Sequence, residues 1–292
     1  MAIMFPAADI SQIGELYDWL SQYVRLRHAI RFGQGLPAMH KILQPPEAVR
    51  RQYAERSAQQ YTEDFALAAA KLPSSPRVLD AGCGFGGTIF RWHELAGGDY
   101  DGLTLSRVQW KVARREGRRR GLLGHCHFHL KSYDDPLPSA YDAVVAIEAL
   151  IHSPSLPWTI GNLARALKPG GRLVLVEDMA SPALDPQLDA DARMLRTCWR
   201  LAGLPSTRAY RALLMENGLR IIQEQDHSEH VVTQSPAQLN RSSALFSAIR
   251  AALPLPGPRF VADALLGGLA LERLYRRRLV SYQLLVGRKA GT

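Results

Sequence analysis

Glu148 and His152 stand four residues apart in the stretch AIEALIHSP (146–154). A carboxylate can stabilise a developing positive charge or accept a proton. An imidazole can take a proton from a phenol or an amine near neutral pH. With both present, residue types leave two chemistries open. Each also has a plain structural role: Glu148 as a carboxylate binding backbone N–H groups, His152 as a satisfied loop histidine. A second concentration lies upstream, where VLDAGCGFGGTIF (78–90) sets Gly82, Gly84, Gly86 and Gly87 within six positions, directly after an apolar run and Asp80. Glycines so dense mark a turn, or a place where something approaches the main chain closely.

These residues need a scaffold, and the chain writes one. RVLDAG, YDGLTLS, HCHFHLK, YDAVVAIEAL, RLVLVEDM, RIIQEQDHS and VSYQLLVGRK read as seven short strands, most of them separated by helical segments. That rhythm implies right-handed crossovers and an α/β, doubly wound, mainly parallel sheet with helices on both faces. Before it, Ile13, Leu16, Trp19, Leu20 and Tyr23 make a helical stripe, and a second helical stretch is expected from about Pro46 to Leu72. The division expected is an N-terminal helical cap (1–72), the sheet core (73–235), a helical insertion (236–278), and a final strand with a tail (279–292). Cap and insertion are natural places for a substrate lid.

Composition narrows the class. The 292 residues are 47% hydrophobic, ample for a large core, and no apolar run is long enough to span a bilayer. MAIMFPAADISQIGELYDWL shows no signal-peptide pattern, and the three cysteines show no metal-ligand spacing, so a reduced, cytoplasmic, metal-free protein is expected. His125, His127 and His129 alternate along the third strand and read as sheet residues. The net charge of +9 gathers at Arg114, Arg115, Arg118, Arg119 and Arg120, and at Arg273, Arg276, Arg277 and Arg278. These suit a diphosphate, an anionic membrane surface or plain solvent. No nucleic-acid partner is expected, for want of a zinc knuckle or an aromatic RNA-binding signature. The sequence carries no clear signal about a homo-oligomer.

Gly82, Gly84 and Gly87 satisfy G-x-G-x-x-G, which alone would permit a dinucleotide. Asp80, however, would repel a pyrophosphate arriving at the following helix N-terminus and suits a ligand with a positive amine. The slot points to S-adenosylmethionine (SAM).

LDAGCGFGG resembles the first motif of class I SAM-dependent methyltransferases, and LKPGGRLVLVED (167–178) is similar to their later motif; the likeness covers residues 77–180. It implies the seven-stranded Rossmann-like methyltransferase sheet, with Asp80, Gly82, Cys83, Gly84 and Gly86 at the cofactor. GLTLSRVQ (102–109) is similar to cyclopropane fatty acid synthases and sterol C-methyltransferases. The resemblance implies that Thr104, Leu105, Ser106 and Gln109 line the ribose and adenosine, where most of the family carries an acid; hydroxyl and amide groups bond there neutrally. In KSYDD (131–135), Ser132 stands where relatives carry an adenine-binding aspartate, followed by Tyr133. Either Ser132 takes that role or the register slips and Asp134 serves. Ile147 is assigned to the cofactor as well.

AIEALIHSP resembles the A-I-E-A-x-x-H-x-P segment of sterol C-methyltransferases. This implies that Glu148 and His152 border the substrate, and it favours Glu148 in methylation at a carbon of a lipophilic olefin: an isoprenoid, a prenyl diphosphate or a sterol-like molecule. O- or N-methylation with His152 as base is the alternative, and a SAM-binding protein without catalysis a further one. A cyclopropane-type transfer fits less well, since that branch pairs its Glu and His at adjacent positions. RFGQGLPAMHKIL (31–43) has a faint likeness to the stretch before the core in sterol and prenyl-type enzymes. Tyr17, Trp19, Tyr23, Phe32 and Met39 are candidates to wall an apolar pocket.

Overall fold

A computed structural model describes residues 10–32, 36–37, 39–51, 53, 60–253 and 255–291, without the side chains of residues 31 and 32. Seven strands form one sheet: β1 (Arg77–Ala81), β2 (Asp99–Thr104), β3 (Cys126–Leu130), β4 (Tyr141–Ile147), β5 (Leu167–Ala180), β6 (Leu219–Asp226) and β7 (Val280–Lys289). The order is β3-β2-β1-β4-β5-β7-β6, parallel except that β7 runs antiparallel to both neighbours. The chain reverses direction of winding between β1 and β4, which opens the ligand crevice of such sheets at their carboxyl ends.

Strand alternation divides the core between the two faces. Val78, Ala143 and Val145 join one apolar cluster, while Leu79, Ala81, Val144 and Ala146 join the other. On the first face lie α3 (Gln60–Ala70), α4 (Gly87–Ala96) and α5 (Arg107–Arg120); α6 (Leu156–Ala166) and α8 (Thr207–Glu216) cover the second. The expected helix from Pro46 to Leu72 is instead α2 (Glu47–Arg50) and α3, and most residues between them lie outside the described set. β5 also extends further back than expected, through the KPGG turn to Leu167.

The cap helix α1 (Ile10–Phe32) and the late helices α9 (Pro236–Ala252) and α10 (Pro256–Arg276) lie on the same side, where α10 packs against α1, α9 and α7 (Ala190–Trp199). Trp199 donates its indole N–H to the Ala264 carbonyl (2.8 Å), and a Cβ at Gly267 would lie 2.3 Å from that ring. From α1, Asp18 accepts from Ser106 Oγ and from Val108 N–H (3.0 Å), capping α5 from outside the core. No helix of the described residues is long and apolar enough to cross a membrane. Several of the clustered arginines are ion-paired: Arg119 and Arg120 with Glu116, Arg277 with Asp189 and Asp191. His125 and His129 face Asp99 and Asp101, at 2.9 and 2.8 Å.

Candidate active site

Between the strand ends and the cap lies a cavity of about 930 Å³. Its floor is the glycine loop. Gly84 (φ +51) has nothing within 4 Å of where a Cβ would be, so the loop leaves open space there. Gly82 (φ +126) faces Ala149, whose Cβ would lie 2.5 Å from its own. Gly86 is a different case: it caps α4 in a left-handed conformation, and a Cβ would meet the Phe128 ring at 2.7 Å. Its glycine is demanded by helix–strand packing, and neither Gly86 nor Asp80 lines the cavity, although Gly82, Cys83 and Gly84 do. Asp80 is 4% exposed; burial, with the nearby Glu63 charge adding to it, lifts its pKa to about 7.

Thr104, Leu105, Ser106 and Gln109 all reach the cavity wall. Thr104 Oγ1 donates to Gln109 Oε1 (2.7 Å), whose amide nitrogen donates in turn to Met39 Sδ (3.2 Å). The Ser106 hydroxyl is committed to Asp18 and to the Gln109 N–H it caps. In the next loop Ser132, Tyr133 and Lys131 line the cavity, whereas Asp134 turns away to accept from the Thr159 hydroxyl. Of the two candidates there, Ser132 is the one at the wall.

The other end holds Ile147, Glu148 and His152. Glu148 has φ +52, a left-handed backbone for a residue with a Cβ, and strain of this kind clusters at functional sites. Its Oε1 accepts from the Lys41 N–H (2.8 Å) and the Tyr282 hydroxyl (2.7 Å); its Oε2 lies 3.2 Å from Lys41 Nζ. Lys41 Nζ also donates to Asp178 Oδ2 (2.6 Å), and the Tyr275 hydroxyl donates to Asp178 Oδ1. Burial opposes the Glu148 charge, but Lys41, with His40 beyond it, holds this carboxyl below its ordinary pKa. Glu148 thus binds one backbone N–H, that of Lys41, and Glu177 binds two: its Oε1 accepts from Ala149 and Leu150 N–H (3.0 and 2.8 Å).

His152 ends a single helical turn, Leu150–His152, and is 5% exposed. Its Nε2 shares a hydrogen bond with the Tyr17 hydroxyl (2.8 Å), and the two rings meet edge-on. Nδ1 makes no well-formed hydrogen bond, although the backbone of Trp199 comes near enough to favour a proton there. Burial dominates and lowers the pKa to about 4, so the imidazole is neutral at physiological pH.

One segment ties these parts together. Met39 meets Gln109, His40 Nε2 lies 3.4 Å from Thr88 Oγ1, and Lys41 joins Glu148 to Asp178. Just beyond, Leu43 bridges to Val231, with Gln44 N–H donating to His230 and Val232 N–H to Ile42. Residues 39–44 thus form a strap over the cavity.

A methyltransferase-domain family matches residues 51–224, more than half of the chain. The chain belongs to that family. Among curated proteins, methyltransferase GfsG of Streptomyces halstedii is 29% identical over 235 residues, 78% of this chain and 80% of that one. The 24-methylenesterol C-methyltransferase 2 of Arabidopsis thaliana is 25% identical over 181 residues, 59% of this chain and 49% of the relative, so the chain spans about half of that protein. Among solved structures, geranyl diphosphate C-methyltransferase from Streptomyces coelicolor A3(2), in complex with Mg2+, geranyl diphosphate and S-adenosyl-L-homocysteine, superposes with a TM-score of 0.72. It has 17% identity over 98% of this chain and all of that one, a likeness of fold. The protein is a SAM-dependent methyltransferase with a Rossmann-like α/β fold.

The site fits the cofactor. The methyltransferase has an open cradle at Gly84, polar groups at Thr104 and Gln109, and a buried carboxyl at Asp80 whose raised pKa a cationic amine would lower. Gly84→Ala is expected to cost only about 1 kcal/mol of stability, from forcing a Cβ into left-handed backbone. The same Cβ projects into the open cradle, so the Kd for SAM should rise roughly tenfold or more; calorimetry beside thermal melting checks both.

Trp19 and Tyr23 are not on the cavity wall, Tyr17 and Met39 are, and the Phe32 side chain lies outside the described set. No motif of the sequence assigns Lys41, Asp178 or Tyr282 to the chemistry, and Tyr17 marks only an apolar wall there. For Asp178 a signal existed: two successive acids, Glu177 and Asp178, end a strand, and alternation sends one to each face.

Proposed function

We propose that this methyltransferase methylates an alkene carbon of a lipophilic small molecule, of the olefinic isoprenoid, prenyl diphosphate or sterol-like class. The observation that supports this is the arrangement of charge at the reaction end. Glu148 and Asp178 both line the cavity, whereas Lys41, which joins them, does not. With all three ionised, the Glu148–Lys41–Asp178 cluster carries one net negative charge, in a cavity that also takes in apolar side chains of the cap such as Leu16, Leu20 and Val24.

SAM bound along Gly82–Gly84, Thr104 and Gln109 would supply an electrophilic methyl group. When an alkene acceptor gains it, positive charge develops on the neighbouring carbon. The fixed carboxylates stabilise that charge in a site of low dielectric constant, and the rings of Tyr17, Tyr133 and Trp199 on the same wall add to it. A carbon next to such a cation is strongly acidic. Glu148, though held at a low pKa, is therefore basic enough to take the proton and restore the double bond.

O-methylation is the second reading, supported by the neutral imidazole of His152 and its hydroxyl partner Tyr17. The test is incubation with SAM carrying a fully deuterated methyl group and a panel of prenyl diphosphates, sterol-like olefins, phenols and amines, read by mass spectrometry. Three deuteriums on an alkene carbon are expected. Label on oxygen or nitrogen would overturn the alkene reading in favour of His152.

A further inference from the structure

Lys41 has no obvious place in the chemistry, yet the strap presents it with great economy. Its backbone N–H and its Nζ both reach Glu148, and the same Nζ reaches Asp178 at 2.6 Å. The side chain of Asp178 is 3% exposed, and those of Lys41 and Glu148 are 15% and 16% exposed. Two carboxylates sharing one cation at these distances, away from bulk water, would otherwise share a proton, because like charges so close cannot both ionise cheaply.

We propose that Lys41 is a positioning residue: it acts through Glu148 and Asp178, keeping both ionised so that this cluster presents one fixed negative charge to the cavity across the neutral pH range. Other groups set the background. Tyr282 and Tyr275 each donate to one carboxylate from β7 and α10. Tyr17 from α1, His40 from the strap, Glu177 from β5 and Tyr210 from α8 also feel the cluster's field. None of the tyrosines can substitute for the lysine, since each supplies a hydrogen bond and no positive charge. His40 is a more distant influence, with its ring nitrogen at Thr88. Burial works against the Lys41 charge, and the two carboxylates more than offset it, so its pKa lies above the ordinary lysine value. Burial and the Glu148 charge raise Asp178 against Lys41 and Tyr275, which makes it the carboxyl that depends most on the cation.

This rests on the proposed function only for what the charge is used for; the charge itself can be measured without a substrate. The experiment compares wild type, Lys41→Met, Lys41→Arg and the double variant Lys41→Met/Asp178→Asn, by infrared difference spectroscopy and by thermal melting from pH 5 to pH 9 on the order of one-unit steps. Asp80 contributes the same carboxylic-acid band to every chain and cancels in the difference. Glu177, which feels Asp178 and Glu148, is removed from the comparison by placing Glu177→Gln in all four chains. Lys41→Met is expected to gain a protonated carboxyl at pH 7, titrating about 1–3 pH units above the wild-type pair. A carboxyl whose folded pKa exceeds its unfolded value stabilises at low pH and loses that contribution as pH rises. The melting temperature of Lys41→Met should therefore fall away from wild type between pH 6 and pH 9 on this scale. Lys41→Arg should behave as wild type, and Asp178→Asn should remove both effects. A Lys41→Met chain that folds only at low pH, or only with Asp178→Asn added, supports the same conclusion. Equal loss of stability at every pH with no new carboxyl band would overturn it, as would failure of both Met chains to fold at any pH. If the band appears but Glu148→Gln leaves alkene methylation intact, the functional reading falls and the role of Lys41 stands.

Discussion

Glu148→Gln is expected to cut methyl transfer to an alkene acceptor by about 10²–10³-fold, the usual scale for removing one fixed electrostatic partner of a developing charge. SAM affinity should change by less than about twofold, because the loss falls on the transition state. Gln keeps the length of the side chain and can still accept from Lys41 N–H and Tyr282, the two contacts on Oε1. What it loses is the charge and the ion pair with Lys41 Nζ. Single-turnover rates measured beside calorimetric binding of the cofactor separate the two quantities. His152→Asn should retain most of the rate on the same acceptor. The reverse pattern, with the histidine variant inactive and Glu148→Gln unimpaired, would transfer the base to His152 and Tyr17.

Glu177 and Asp80 should together carry most of the pH dependence of stability, with Glu177 the larger part. Glu177 is fully buried, one of its oxygens has no hydrogen-bond partner, and burial raises its pKa to about 8 in spite of two backbone N–H donors. The folded value exceeds the unfolded one, so its contribution is present below about pH 4.5 and is lost as pH rises through about 8. Between pH 5 and pH 8 this amounts to a loss on the order of 3 kcal/mol. Glu177→Gln, which keeps an oxygen for the N–H groups of Ala149 and Leu150, should remove Glu177's share of that slope, leave the share of Asp80, and be more stable than wild type at about pH 9. Chemical denaturation across that range checks it; an unchanged slope would mean the carboxyl titrates near its ordinary value.

The strands and the glycine loop were legible because their signals are local. Alternation and apolar runs mark β1 and β4, and the density of Gly82, Gly84 and Gly86 marks the turn. What the turn demanded of each glycine was less legible: Gly84 opens on the cavity, whereas Gly86 answers to Phe128, a residue 42 positions away. Glu148 and His152 were visible from their segment, but their partners were not. Lys41 lies 107 positions from Glu148 and 137 from Asp178, and Tyr17 lies 135 from His152. Nothing in the spacing of HKIL predicts that its lysine turns inward to two carboxylates, since a loop lysine normally points to water. Only the docking of the cap on the strand ends makes that pairing. That Ser132 and not Asp134 lines the cavity likewise depends on a distant partner, Thr159 in α6, to which Asp134 turns.

The strap carries one more consequence. Met39, His40 and Lys41 follow one another directly, yet each reaches a different part of the cavity wall, at Gln109, Thr88 and Glu148. Whatever its path, a chain of trans peptides sets consecutive Cα atoms a fixed distance of about 3.8 Å apart. The separations between those three stations are thus recorded in the segment as a count. Exchanging one of its side chains would spoil one contact. Removing a residue would hand every later side chain to its neighbour's station, with the lysine offered to Thr88 and an isoleucine to the carboxylates. The segment behaves as a ruler, and it should bear a change of letter far better than a change of length.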